Sequence, residues 1–102
     1  MANIIQGSTP DNKFELPFAQ SLVENISITY KQKGEIVFKK AGDDVKIEGG
    51  YAIVTLTQEE TLSLIEEDIV EVQLKVKTTN GKVIPSSKLY VGVYEVLDKE
   101  VM

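Results

Sequence analysis

The chain has 102 residues, 42% of them hydrophobic and 26% charged, with a formal net charge of -5. Such a length suits one domain, and surface scaling lets about 65% of the unfolded chain's surface be buried, enough for a core without disulfides or metal. There is no cysteine, histidine or tryptophan, and all 11 basic residues are lysine. These absences exclude thiolate and imidazole chemistry, Ser-His pairs and Cys/His zinc sites, and they leave carboxylates alone as metal ligands. Without arginine and with an acidic balance, a polyanion is repelled at long range, so nucleic acid is not an expected partner. No apolar run approaches the roughly 18 residues of a membrane span. The opening MANIIQGSTP also lacks the basic region and apolar core of a signal peptide. The expectation is a chain made and folded in the cytoplasm, without a membrane partner.

Valine, isoleucine and threonine supply 29 residues, and β-branched side chains favour a pleated surface, so the expected class is all-β. Residues 1–12 collect the turn formers Gly7, Ser8, Thr9, Pro10, Asp11 and Asn12 and suggest an N-terminal arm or loop, with a single β-sandwich domain over 13–102. The first strand signal is Phe14, Leu16 and Phe18, held to an edge or strand end by Pro17. Residues 25–31 alternate, with Ile26, Ile28 and Tyr30 on one face. Their hairpin partner is 35–40. A two-residue loop at Lys33-Gly34 sets Tyr30 against Val37. A three-residue loop sets Tyr30 against Ile36 and Ile28 against Phe38, matching apolar with apolar, and is the preferred register. A turn at 41–44, a short strand at 45–47 and a turn at Gly49-Gly50 lead to a strand at 51–56.

The periodicity then changes. Thr57-Gln58-Glu59-Glu60 has the Thr-x-x-Glu form of a capping box, and Leu62, Leu64 and Ile65 supply the apolar side of a short helix near 58–65. The longest strand follows, with Val70, Val72, Leu74 and Val76 alternating against polar residues. A hairpin turn at Asn80-Gly81 pairs positions that sum to 161, placing Val72 opposite Leu89 and Val70 opposite Val91, unless Pro85 inserts a bulge and shifts the pairing by one. About seven strands and one short helix indicate an immunoglobulin-like two-sheet β-sandwich, with a small open barrel as the other solution.

Side chains with chemical potential are few. The acidic residues Glu59, Glu60, Glu66, Glu67 and Asp68 fit capping and a solvated surface better than an acid/base pair or a calcium site, and Asp43, Asp44 and Glu48 fit turn chemistry. Ser86 and Ser87 have no histidine to activate them, and Ser87 and Lys88 point to opposite faces of a strand. Catalytic, cofactor and metal residues are therefore not expected, and the protein is not expected to be an enzyme. The last strand is the exception to a plain core. Leu89, Val91 and Val93 are apolar on one parity, and Tyr90, Tyr94 and Val96 on the other. Either the strand is buried on both faces, or the tyrosines lie flattened over neighbouring side chains, or Tyr90 and Tyr94, with Gly92 allowing close approach, form a protein interface.

Several segments together resemble a known group: Gly7-x-Thr9-Pro10, residues 26–32, Leu56-Thr57-Gln58-Glu59-Glu60-Thr61-Leu62, Val72-Gln73-Leu74 and the ending Leu97-Asp98-Lys99-Glu100-Val101. They are similar to the short prophage-encoded proteins of Firmicutes that travel with tail and baseplate genes, which resemble in fold the amino-terminal β-sandwich of the phage upper baseplate protein. The resemblance implies a structural or assembly role in a phage tail or baseplate. The implied partners are other tail or baseplate proteins, or further copies of the chain in a homo-oligomer. The implied locations are the host cytoplasm during assembly and the virion. A carbohydrate- or cell-surface-binding β-sandwich module is the alternative, though such a module would be expected to carry an aromatic platform, and the chain has no tryptophan.

Overall fold

Two β-sheets face one another across a continuous apolar core in the computed structural model, which describes residues 4–16, 19–86, 88–97 and 99. In chain order the strands are β1 (Ile4–Ile5), β2 (Asp11–Glu15), β3 (Val23–Gln32), β4 (Glu35–Ala41), β5 (Val45–Glu48), β6 (Tyr51–Thr55), β7 (Asp68–Thr78), β8 (Val83–Pro85) and β9 (Leu89–Tyr94). Among the described residues one α-helix, α1 (Gln58–Leu62), lies between β6 and β7, and short 3-10 turns occupy Gln20–Leu22 and Gly42–Asp44. The larger sheet runs β1-β9-β7-β3-β4, with β8 also paired to β7, and the smaller runs β2-β6-β5. The larger sheet's β9-β7-β3-β4 corresponds to the order G-F-C-C′ of an immunoglobulin variable-type sandwich, and the smaller sheet's β2-β6-β5 to B-E-D. The chain is thus an immunoglobulin-like β-sandwich by its strand order.

Alternation explains the layers. Ile26, Ile28 and Tyr30 of β3, Val70, Val72, Leu74 and Val76 of β7, and Val91 and Val93 of β9 point inward. They meet Phe14, Ala52, Val54 and Leu56 from the smaller sheet and the strand end beyond it. With no cysteine, the two sheets are joined by packing and by a buried hydrogen bond: the Tyr30 hydroxyl on β3 donates to Asn12 Oδ1 on β2 at 2.8 Å. Burial, reinforced by the Glu60 charge, pushes the Tyr30 phenol above its ordinary pKa, so it remains a donor at any physiological pH.

The described part of residues 1–12, expected as an arm or loop, is a loop with paired strand on either side of it. Ile4 is buried in β1, which pairs in parallel with β9 through Ile4–Val93 and Ile5–Tyr94, and Asn12 is already inside β2. A two-residue strand carries too little periodicity to stand out among turn formers. The Pro17 and Phe18 expectations lie outside the described residues, as does Ser87.

The β3–β4 hairpin corrects the expected register. Lys33 (φ 49°) and Gly34 (φ 80°) form a two-residue turn closed by Gln32 opposite Glu35. A bulge then leaves Val37 as the extra residue, so Tyr30 faces Phe38 rather than Ile36, and Ile28 faces Lys40 rather than Phe38. The bulge gives the tight turn and still stacks two aromatic rings, 4.6 Å apart at 29°.

The β7–β9 connection holds the expected pairs Val72–Leu89 and Val70–Val91, but reaches them by a different route. Thr79, Asn80 and Gly81 make a three-residue loop, closed by Thr78 N–H to Lys82 C=O at 2.8 Å with Gly81 at φ 85°. Positions in β8 therefore sum to 160. Ser86 absorbs the one-residue shift: its amide donates to the Leu74 carbonyl at 2.8 Å and its hydroxyl accepts from the Leu74 amide at 3.0 Å.

Helix α1 starts at the expected capping box. The Glu60 amide donates to Thr57 Oγ1 at 3.1 Å and the Thr57 amide donates to Glu60 Oε1 at 2.8 Å. The helix ends at Leu62, earlier than expected, because two glutamines hold the chain after it in a turn. Gln32 accepts from the Ile65 amide at 2.8 Å and donates to its carbonyl at 3.2 Å, and Gln6 donates to the Leu64 carbonyl at 2.7 Å. Leu64 still enters the core, whereas Ile65 is exposed.

Candidate protein contact surface

The outward positions of the larger sheet follow from its register. In β9 they are Tyr90, Gly92 and Tyr94; in β7 Ile69, Glu71, Gln73, Lys75 and Lys77; in β1 Ile5. The full-burial reading of the last strand is excluded: of its inward parity Val91 and Val93 are buried and Leu89 is exposed at the strand's start, while on the outward parity Tyr90 is 62% and Tyr94 48% exposed. Ile5 stands beside Tyr94, and Ile69 stands opposite Gly92, on the diagonals to both tyrosines. Ile5 is 52% and Ile69 55% exposed. The structure therefore brings Tyr90, Gly92 and Tyr94 together on one face, as expected, and adds two isoleucines to them. Gly92 has no side chain, so the surface between the two rings is a shallow saddle walled by Ile69.

Sequence reasoning missed both isoleucines. Their signal was a break in alternation: Ile4-Ile5 and Ile69-Val70 each place large apolar side chains on successive positions, one of which must face out.

Beyond this apolar end the same face turns polar. Lys31 and Glu71 are cross-strand neighbours, and Lys88 Nζ lies 3.5 Å from Glu71. Gln73 Nε2 donates to the Ser86 carbonyl at 2.8 Å, fixing the middle of the sheet to the bulge before β9. Ile36, displaced outward by the β4 bulge, adds one further exposed apolar side chain near Lys31.

The acidic groups do not converge. Glu60 belongs to the capping box and lies 2.6 Å from Lys40 Nζ. Burial pushes its carboxyl up, but hydrogen bonds from Lys40 and the Thr57 amide, with the lysine's charge, outweigh this and hold it below the ordinary glutamate value. Glu66 accepts from Gln6 at 3.0 Å, Asp68 accepts from the Ile69 amide at 2.8 Å, and Glu48 pairs with Lys46 at 2.8 Å. Among the described residues no three acidic side chains are grouped to hold a metal ion, and no helix is long and apolar enough to cross a membrane.

No protein-family model and no curated protein matches this chain. Among solved structures, the V domain of amphioxus IgVJ-C2 aligns over 91% of this chain and 99% of its own, with 13% identity and a TM-score of 0.35. The immunoglobulin-like order of the strands is a property of this chain's own hydrogen-bonded ladders.

Proposed function

We propose that the protein is a non-enzymatic contact subunit that docks on other proteins through the outer face of its larger sheet. The setting is the tail or baseplate of a phage, where the sequence resemblance would place it. The supporting observation is the saddle at Gly92, where Ile5, Ile69, Tyr90 and Tyr94 stand exposed on adjacent strands. Together these side chains offer an apolar area on the order of 400 Å², the size of the largest patch on an ordinary monomer, which is often a functional one. Covering it gains on the order of 10 kcal/mol gross, comparable to the cost of association. A single contact is then weak, and repetition by symmetry in a particle supplies the remaining affinity.

Tyrosine suits this role because its ring buries apolar area while its hydroxyl remains hydrogen-bonded at a wet rim. The test is mass spectrometry of particles purified from an induced host strain carrying the gene. The expected result is the wild-type chain in fixed stoichiometry with tail proteins, and loss of a chain carrying Tyr90→Ser and Tyr94→Ser. Particles without the wild-type chain contradict the tail setting. Equal incorporation of the double variant contradicts the docking face.

A further inference from the structure

The end of the same face farthest from the saddle is built differently. On β7 the outward row runs from Ile69 to Lys77, about 26 Å at strand rise. Around its far end the register sets Lys75 opposite Ser27, Lys77 opposite Asn25, and Lys39 opposite Thr29, while Ser27 also faces Ala41 on its other side. Small side chains at Ser27 and Ala41 thus make the floor of a concavity, and Lys39, Lys75 and Lys77 make its walls. A carboxylate opposite a lysine stabilises a sheet surface, as nearer the saddle where Lys31 faces Glu71. Here each lysine faces a neutral side chain. Among the described residues lysines 33, 40, 46, 88 and 99 have a carboxylate within salt-bridge distance; the three lysines of the dent, like Lys13, Lys31 and Lys82, do not, and only these three converge on one concavity. The chain carries a net charge of -5, so an uncompensated cationic dent on it is a local reversal of sign.

We infer that the concavity walled by Lys39, Lys75 and Lys77 receives the carboxylates of an acidic segment of a partner protein. The partner lies across the face with apolar residues on the Gly92 saddle and acidic residues on the lysines. This rests on the reading of that face as a contact surface and adds the chemistry and direction of the partner. A protein segment suits the site better than a nucleic acid. Arginine is absent, and the chain's overall acidity repels an extended polyanion. Lysine ammonium groups on flexible stems attract carboxylates at close range without demanding one geometry. The contact then adds steering and direction to an apolar patch that lacks both.

The experiment titrates the full chain with a synthetic octaglutamate peptide and follows backbone amide shifts by NMR, with an oligothymidylate of equal length in parallel. The expected result is a salt-sensitive set of shifts centred on Ser27, Lys39, Lys75 and Lys77. Affinity falls about tenfold when all three lysines are changed to glutamine, the size of a few lost charge contacts. It is unchanged by Lys13→Gln with Lys46→Gln on the opposite sheet, and by Tyr90→Ser with Tyr94→Ser. Shifts spread over every lysine, or equal loss in the opposite-sheet variant, overturn the site. Tighter binding of the oligothymidylate at these residues overturns the choice of partner. So does a concentration-dependent self-association, seen by sedimentation, that the triple variant abolishes, because the occupant is then a second copy. Octaglutamate binding that persists while the tyrosine variant still enters particles separates failure of the docking saddle from failure of the lysine site.

Discussion

The two outer faces of the sandwich are made of the same kinds of residue in different arrangements. On the smaller sheet the outward polar groups find partners of their own: Lys46 pairs with Glu48 at 2.8 Å, and Thr55 donates to Asp11 across the β2–β6 ladder, while Lys13 and Lys46 flank Ile53. Its exposed aromatic, Tyr51, stands at the end of β6 with Glu15 and Glu48 opposite it on the flanking strands. On the larger sheet the chemistry is segregated, with four large apolar side chains at one end and three lysines facing neutral neighbours at the other. A surface whose charges are matched locally needs only water. One with a tyrosine-isoleucine cluster at one end and three lysines around a dent at the other, where Val83 also lies exposed opposite Lys77, offers a partner both area and direction. The contrast between matched and segregated faces, on sheets that share one core, separates what holds this protein together from what it presents.

The largest effects should come from the core, and equally from beneath both faces. Val54→Ala under the smaller sheet and Val72→Ala under the larger remove fully buried methyl groups, and each should cost about 2 kcal/mol in urea unfolding. A large inequality would mean that one sheet does not share the common core. Next comes the link between the sheets. Tyr30→Phe deletes the donor to Asn12 and leaves its buried oxygen unpaired, with an expected loss of about 1–2 kcal/mol in the same assay. Asn12→Ala together with Tyr30→Phe should cost less than the sum of the single changes, since the pair acts as one unit.

A pH-dependent effect sharpens the comparison at the side of the sandwich, where Lys40 at the β4 edge meets Glu60 on α1. The Glu60 pKa is lower in the folded protein than in the unfolded chain. On acidification the unfolded state therefore takes up this proton first. The stabilisation is complete above the ordinary glutamate value of about 4.3 and is lost as pH falls through the lower folded value. Glu60→Gln should reduce stability at neutral pH and flatten this part of the acid limb, as measured by thermal unfolding between neutral and acidic pH. An unchanged acid limb would remove Glu60 from the account.

The smallest effect on stability is expected where the effect on function is largest. Tyr90→Ser and Tyr94→Ser each change unfolding free energy by no more than about 0.5 kcal/mol, because both rings are exposed. A loss as large as that of Val72→Ala would make the tyrosines structural.

How much of this was legible in the sequence depends on the period of the signal. Strands β3 and β7, long and alternating, and the helix cap at Thr57 can be seen from residue spacing alone, because each is fixed by near neighbours. The β3–β4 register cannot. The bulge at Val37 is stabilised by the stacking of Tyr30 on Phe38, which depends on the two strands already being paired. The β7–β9 pairing was correctly placed although the loop was not, because Ser86 restores the residue that the three-residue loop displaces. Of the contact face, Tyr90, Gly92 and Tyr94 showed as surplus apolar character in one strand. Ile5 and Ile69 come from distant parts of the chain, and only the parallel β1–β9 and antiparallel β7–β9 ladders bring them alongside. The lysine dent is likewise a property of three strands together, invisible in any one of them.

The central claim is that the two outer faces differ in use, and matched photo-crosslinking at two tyrosines tests it most directly. A photoreactive phenylalanine analogue replaces Tyr90 on the larger sheet or Tyr51 on the smaller, both exposed, and host cells expressing the chain are irradiated. The account predicts a discrete protein adduct from position 90, lost when Lys39, Lys75 and Lys77 are changed to glutamine, and none from position 51. Equal adducts from both positions, or an adduct from position 51 alone, would contradict it.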